Sequence, residues 1–308
     1  MAVGASSSTI RPPTRLRRDV PLAPYTTFGI GGPARRYVEA GSSAVLARAV
    51  RWGRERRLQV VVLGRGSNIL VSDRGFDGLV VRAADGGNVE ALPEGRLRAG
   101  SGVELAHLIE VALRRGLSGL EHFAGIPSTL GGALWQNLHF LSPDRRRTLF
   151  LGDLVEEATL LTREGVRRVG ASHFRFGYDE SSLQRSGEIV LDATLRLVPG
   201  EERELRRVRR ANLVWRARRY PAAADRRSAG CVFRNPADVP AARLVDAAGL
   251  KGLRVGGAAV SRRHANFVLN LGGATAEDVR TLVDEVQVRV ARRLGRMLEP
   301  EIAFVGSF

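Results

Sequence analysis

An α+β fold in three blocks is what the 308-residue sequence predicts, and three observations carry that reading. The length exceeds what one compact core organises, so two or three domains are expected. Helical and strand periodicities both occur, but without the regular strand–helix alternation of a doubly wound sheet, and no internal repeat is visible. The apolar fraction of 44% is that of a globular chain. No apolar run approaches the ~20 residues a bilayer span requires, so a soluble protein with no membrane partner is expected. Breaks in the pattern divide the chain into a disordered tail over 1–19, two small units over 20–83 and 84–200, and a C-terminal block over 201–308.

The tail is rich in Ser, Pro and Arg and lacks the apolar core of a signal peptide. From Thr26 the pattern becomes ordered. Residues 34–40 read as a strand, and Ser42 or Ser43 can cap a helix carrying Val45, Leu46, Val50 and Trp52. Residues 58–63 read as a buried strand, followed by a glycine-bearing turn and short strands at 69–71 and 79–82. Asp85-Gly86-Gly87-Asn88 and Pro93-Glu94-Gly95 are breaks. Residues 103–115 have helical spacing through Leu105, Leu108, Ile109 and Leu113, whereas 125–137 reads as a loop of small residues. Strands follow at 154–162 and 189–198. A charged helix over 201–219 is ended by Tyr220-Pro221-Ala222. Beyond it, 240–248 reads as helical and 266–270 as a strand. Thr275 caps a helix that runs to Gly295 with Glu277 and Asp278 in its first turn, and a strand over 301–305 closes the chain.

The formal charge of +16 raises the possibility of a nucleic-acid partner. Nearly all of it is arginine, spread along the chain, and Lys251 is the only lysine. The densest clusters, Arg206-Arg207-Arg209-Arg210 and Arg216-Arg218-Arg219, lie on one helix with few interleaved aromatics, so a nucleic-acid or scaffold role stands as the rival and an anionic small molecule as the expected partner. Cys231 is the only cysteine, which excludes an intramolecular disulfide and points to the cytoplasm.

The chemistry starts at Leu63-Gly64-Arg65-Gly66-Ser67-Asn68. Main-chain N–H groups exposed by small residues in a tight turn make a concave anion cradle that suits a pyrophosphate. Ser67 and Asn68 add side-chain donors. Two further small-residue stretches, Thr26-Thr27-Phe28-Gly29-Ile30-Gly31-Gly32-Pro33 and Ala124-Gly125-Ile126-Pro127-Ser128-Thr129-Leu130-Gly131-Gly132-Ala133, suggest a long ligand carrying phosphates. The turn is neither the GxGxxG helix start of a Rossmann unit nor a Walker loop.

Together with AGCVFRNP, GLKGLRVGGAAVSRRHANFVLN and LEPEIAFVG, these stretches resemble the UDP-N-acetylenolpyruvoylglucosamine reductase family, in the family's order and from about Pro21 to Gly306. The resemblance implies an FAD-binding fold of the vanillyl-alcohol oxidase type, built from two small subdomains (20–83 and 84–200), with a substrate-binding domain over 201–308. It implies a monomeric cytoplasmic flavoenzyme of peptidoglycan precursor synthesis. NADPH reduces FAD, and the reduced flavin delivers a hydride to the enol ether of a UDP-sugar while a protein group protonates the neighbouring carbon. The short stretch between Tyr178 and Gly187 is similar to that of the family's shorter, second type. By similarity Gly64, Arg65, Gly66, Ser67 and Asn68 hold FAD, with Gly125, Ile126, Ser128, Thr129, Gly131, Gly132 and Asn137. Cys231 stands where the family's proton-donating serine stands, and Glu301 matches its catalytic glutamate. Tyr178 completes the catalytic set. Arg216, Arg218, Arg234 and Asn235 are the candidates for the UDP diphosphate, arginine's fork suiting phosphate oxygens. His264 and Asn266 are read as shaping the closed site. No metal is called for.

Two departures from the family pattern stand out. Asp179, in Tyr178-Asp179-Glu180-Ser181, replaces an arginine that lies against the substrate carboxylate, reversing the charge. Arg175, Arg185 and Arg234 are the candidates to replace it, and a paralogue with altered substrate or impaired turnover is the alternative function. Asn137-Leu138-His139-Phe140 replaces Asn-Ala-Gly-Ala, and His139 is read as structural and left out of the site.

Overall fold

Residues 10–221 and 227–308 are described by the computed structural model of the chain. The first unit is a four-stranded sheet in the order Arg17–Pro21, Pro33–Ala40, Phe76–Ala83, Val60–Leu63. The last three strands run parallel and Arg17–Pro21 is an antiparallel edge. The helix Ser43–Glu55 makes this unit possible. The Ser42 hydroxyl accepts the Val45 N–H, and Leu46, Ala49, Val50 and Trp52 bury against Val38, Leu79 and Val81. Val20, Tyr37, Leu63 and Val80 fill the opposite face. Arg17, Arg18 and Asp19 therefore belong to a strand, not to the expected tail. Their side chains are exposed on a sheet edge, which hid the alternation that marks a strand. Residues 1–9 of that expected tail lie outside the described residues.

The second unit is a five-stranded antiparallel sheet, ordered Val166–Gly170, Val155–Leu161, Ile189–Arg196, Arg96–Gly100, Val89–Leu92. Pro93-Glu94-Gly95 makes its last hairpin turn. The helix Leu105–Arg114 and a second helix, Leu130–Gln136, share its core through Leu108, Leu130 and Leu134. That second helix corrects the loop expected over 125–137. The Thr129 hydroxyl accepts the Gly132 N–H at 3.4 Å as an N-cap, and the buried Leu130, Ala133 and Leu134 override the low helix propensity of Gly131 and Gly132. The long helix Glu202–Arg219 also packs here, burying Leu205 and resting Trp215 on the same core.

Part of the basic face of that long helix is paired within the chain. Arg206 reaches Glu110 at 3.0 Å and Glu202 at 2.7 Å, Arg207 pairs with Glu204 at 2.5 Å, and Arg209 lies 3.4 Å from Glu110. Three arginines of the first basic cluster thus have carboxylates of their own.

The third unit packs the helices Ala241–Ala247 and Ala276–Leu294 on a three-stranded sheet, Arg254–Val255, Ala258–Val260 and Val268–Asn270. The capping box is complete, Thr275 and Asp278 satisfying each other's backbone N–H. Asp73 of the first unit accepts the N–H groups of Ala276 at 2.8 Å and Glu277 at 3.1 Å, an anion on the helix N-terminus. The last strand, Ala303–Val305, then leaves this unit and pairs in parallel with Ile69–Val71 of the first. That return positions the site, because it sets Glu301 beside the glycine-bearing turn. Among the described residues no helix is long and apolar enough to cross a membrane.

Candidate functional site

A cleft of about 1460 Å³ opens among the three units. Every residue assigned by resemblance to the cofactor between Gly64 and Asn68 and between Gly125 and Gly132 lines it. No main-chain N–H from Gly64 to Asn68 donates to a partner among the described residues, so five successive donors are available to a ligand. Glycine is obligatory in this turn. Gly66 sits at φ +60°, and a Cβ there would stand 2.3 Å from the Tyr25 carbonyl oxygen. At Gly64 a Cβ would stand 2.4 Å from the Thr129 hydroxyl, so the two small-residue turns touch and form one wall.

Asn68 lines the cleft with its side chain engaged by the protein, and Asn137 departs from the role read for it. The Asn68 amide donates to Gln136 Oε1 at 2.8 Å and to the Glu301 carbonyl at 3.3 Å. Gln136 Nε2 in turn donates to Glu301 Oε1 at 3.2 Å. The turn that offers donors to a phosphate therefore also aims the carboxyl. Asn137 does not line the cleft. It is buried at φ +49°, donating to the Gly177 carbonyl at 2.7 Å and accepting the Gly152 N–H at 3.0 Å, so it ties down the loop that carries Tyr178.

Cys231 and Glu301 are neighbours through main-chain pairing. Glu301 N–H donates to the Val232 carbonyl at 2.7 Å, Arg234 N–H to the Glu299 carbonyl at 2.9 Å, and Val232 N–H to the Asn266 carbonyl at 2.8 Å. Asn266 locks the segment, accepting the Phe233 N–H and donating to the Phe233 carbonyl. Both side chains line the cleft, with Tyr178, whose hydroxyl accepts a 2.8 Å hydrogen bond from Asn235. Burial holds the Glu301 carboxyl well above the usual carboxylate range, Asp179 adds to the rise and Arg234 opposes it. Burial also pushes the Cys231 thiol up, helped by Glu301 and Asp179, against Arg216 and a hydrogen bond from Asn266. The thiol is thus fully protonated near neutrality. Tyr178 is pushed up to about 12, chiefly by burial.

The residue that replaces the expected arginine is 1% exposed and lines the same cleft. Asp179 sits at φ +54°, a conformation Asp tolerates, within a turn closed by the Gly177–Glu180 bridge. Its Oδ1 lies 3.2 Å from His139 Nδ1, off the N–H line, and neither carboxylate oxygen is hydrogen bonded among the described residues. His139 packs against Tyr178, ring centroids 4.6 Å apart, and against Phe150 at 5.7 Å. Neither Arg175 nor Arg185 lines the cleft, and Arg185 pairs with Glu180 on the surface. His139, Gln136 and Asp179 are the site residues that sequence reasoning did not assign. The His139 signal was its departure from the family pattern, whereas Gln136 lay in a stretch read as loop.

Of the diphosphate candidates, Arg216 and Asn235 line the cleft, while Arg218 and Arg234 do not. The Arg216 guanidinium lies 4.7 Å from the Tyr220 ring centroid and 5.2 Å from that of Phe140. His264 also lines the cleft, and burial depresses it to about 4, so it is neutral there. Among the described residues no cluster of three metal-ligating side chains occurs.

Comparison with known proteins agrees with this geometry. Residues 34–170 match the family described as FAD binding domain, and residues 221–305 match the UDP-N-acetylenolpyruvoylglucosamine reductase C-terminal domain. A UDP-N-acetylenolpyruvoylglucosamine reductase of Synechococcus sp. (strain JA-3-3Ab) is 39% identical over 98% of this chain and 95% of its own length. That of Moorella thermoacetica is 42% identical over 93% of this chain and 92% of its own. The crystal structure of UDP-N-acetylenolpyruvylglucosamine reductase from Thermus caldophilus superposes with a TM-score of 0.78 at 35% identity, covering 94% of this chain and 99% of that one. With both matched domains present in order and the likeness running nearly end to end, the chain belongs to the UDP-N-acetylenolpyruvoylglucosamine reductase family.

Proposed function

We propose that the protein is an FAD-dependent reductase of the enolpyruvyl ether of UDP-N-acetylglucosamine, taking its electrons from NADPH and yielding UDP-N-acetylmuramate for peptidoglycan. One observation carries the reading: a protonated thiol and a raised carboxyl stand on the wall of a cleft that also holds a turn of unpaired main-chain N–H groups. The cradle suits FAD, since five successive main-chain N–H groups without partners among the described residues line the cleft on a turn that only glycine can make. When bound, FAD supplies the hydride chemistry. The 64–68 and 125–132 turns would hold its pyrophosphate and neighbouring parts. Cys231 would give a proton to the carbon next to the reduced one, and Glu301, steadied by Gln136, would polarise the enolpyruvyl group. Arg216 and Asn235 would face the UDP portion.

The test separates two half-reactions. Purified protein should be yellow, should bleach anaerobically under NADPH, and should recover its colour when the enolpyruvyl sugar is added. A colourless preparation from flavin-sufficient cells would overturn the reading. Cys231→Ala should spare the bleaching and slow the recovery by about 100-fold or more, while Cys231→Ser retains substantial activity. Equal recovery in all three proteins would remove Cys231 from the donor role. The buried Asp179 favours a second reading, a paralogue acting on another substrate; flavin that NADPH bleaches but the enolpyruvyl sugar cannot recolour is its signature.

A further inference from the structure

The lobe of the cleft around Cys231 presents a problem of charge. Two acids, the buried Asp179 and the half-buried Glu301, line it, yet an enolpyruvyl ligand brings a carboxylate of its own. Of the other cations on the cleft wall, Arg163 lies beside Arg54, and Arg54, Arg65 and Arg216 have partners within the chain. Arg54 donates to the Thr162 and Gly187 carbonyls at 2.8 and 2.7 Å, Arg65 pairs with Glu104 at 2.9 Å, and Arg216 stacks on aromatic rings. His264 is neutral. His139 alone among these basic groups touches an acid of the lobe, through the 3.2 Å contact of Nδ1 with Asp179. Phe150 and Tyr178 fix its ring, and Nε2 has no hydrogen-bond partner among the described residues.

We propose that His139 is the binding group for the substrate's carboxylate in the reactive lobe, and that Asp179 is the positioning residue that holds it. The ring sets Nδ1 beside Asp179 and leaves Nε2 for the ligand. The ring thereby presents a hydrogen-bond donor where an isolated aspartate would only repel. Asp179 is suited to this task because its turn is pinned from several sides. Gln184 donates to its carbonyl at 2.9 Å, and Ser181 and Asn137 anchor the flanking backbone to Trp135 and Gly177. The proposal rests on the function proposed above and adds a residue to it.

The experiment uses full-length, FAD-loaded protein. Binding of the enolpyruvyl sugar and of UDP-N-acetylglucosamine, which lacks the carboxylate, is measured by perturbation of the flavin absorbance. Recovery of dithionite-reduced flavin by the enolpyruvyl sugar is followed anaerobically. His139→Gln should weaken enolpyruvyl-sugar binding by about 10- to 100-fold, leave UDP-N-acetylglucosamine binding within about 2-fold, and slow the recovery. Asp179→Asn should act in the same direction but less, and the double variant should be no worse than His139→Gln alone. His139→Gln weakening both ligands equally, or neither, would overturn the assignment. Tighter binding by Asp179→Asn would show that the aspartate merely repels and would overturn the positioning role. Where His139→Gln does not retain flavin, Asp179→Asn carries the same comparison. Failure of wild-type protein to bleach under NADPH would instead sink the proposed function, which these binding arms do not measure.

Discussion

Replacing Gly66 by alanine tests the glycine turn at its tightest point. At φ +60° alanine carries a backbone penalty of about 1 kcal/mol. The added Cβ would lie 2.3 Å from the Tyr25 carbonyl oxygen and 2.9 Å from the Thr26 Cα, both main-chain atoms that cannot swing aside. Relief requires the turn and the 25–27 segment to part by about 1 Å, given an ordinary C···O contact near ~3.3 Å. That movement breaks the bonds from the Thr27 N–H and hydroxyl to the Gly66 carbonyl, 3.0 and 3.3 Å long, each contributing about 1 kcal/mol. The sum is about 3 kcal/mol, or a fall in Tm on the order of 5–10 °C for a chain of this size. Flavin content should fall with it, since the same five N–H groups would be displaced. Thermal unfolding by circular dichroism and the flavin-to-protein absorbance ratio measure the two effects. Gly41→Ala is the control, because a Cβ there meets nothing within 4 Å. A Gly66→Ala protein that melts with the control and carries a full complement of flavin would refute both the steric reasoning and the cradle.

Three further outcomes follow from the site. Gln136→Leu removes the donor to Glu301 Oε1 and should slow flavin recovery by the enolpyruvyl sugar about 10-fold while leaving flavin content intact; unchanged recovery would mean that Glu301 needs no steadying. His264 is depressed from 6.5 to about 4 by burial, so its contribution is present above pH 6.5 and lost as pH falls toward 4. It amounts to up to about 3 kcal/mol, and urea titrations should show His264→Gln losing less stability than wild type across that window. Glu301 is raised, so its contribution is full below about pH 4.5 and lost as pH rises through the folded value. Glu301→Gln should therefore gain stability relative to wild type at pH 8 compared with pH 5, and a constant difference between the two pH values would contradict the raised carboxyl.

The elements legible in the sequence were those whose signal is local. Thr275 with Asp278, Ser42 with Val45, and the alternation in Ile189–Arg196 are dictated by neighbours a few residues away, and the structure contains them. The helix Leu130–Gln136 was not legible, because Gly131 and Gly132 argue against it locally and only the core around Leu134 stabilises it. The same division holds in the site. The glycine turn could be read from residue type, whereas the chain from Asn68 through Gln136 to Glu301 joins residues 68 and 165 positions apart and exists only in three dimensions. Asp179 stood out as a reversed charge, but its partner His139 lies forty positions upstream and became visible only when the two side chains met.

The strand Ala303–Val305 has a consequence for how the molecule is made. It lies against Ile69–Val71, so the sheet edge beside the cradle waits for a segment synthesised long after it, and the Glu301 carboxyl arrives with that segment. A nascent chain can form its first two units and still be unable to react, since the carboxyl comes with the third. Losing the Ala303–Val305 pairing would leave most of the helices standing and switch the molecule off.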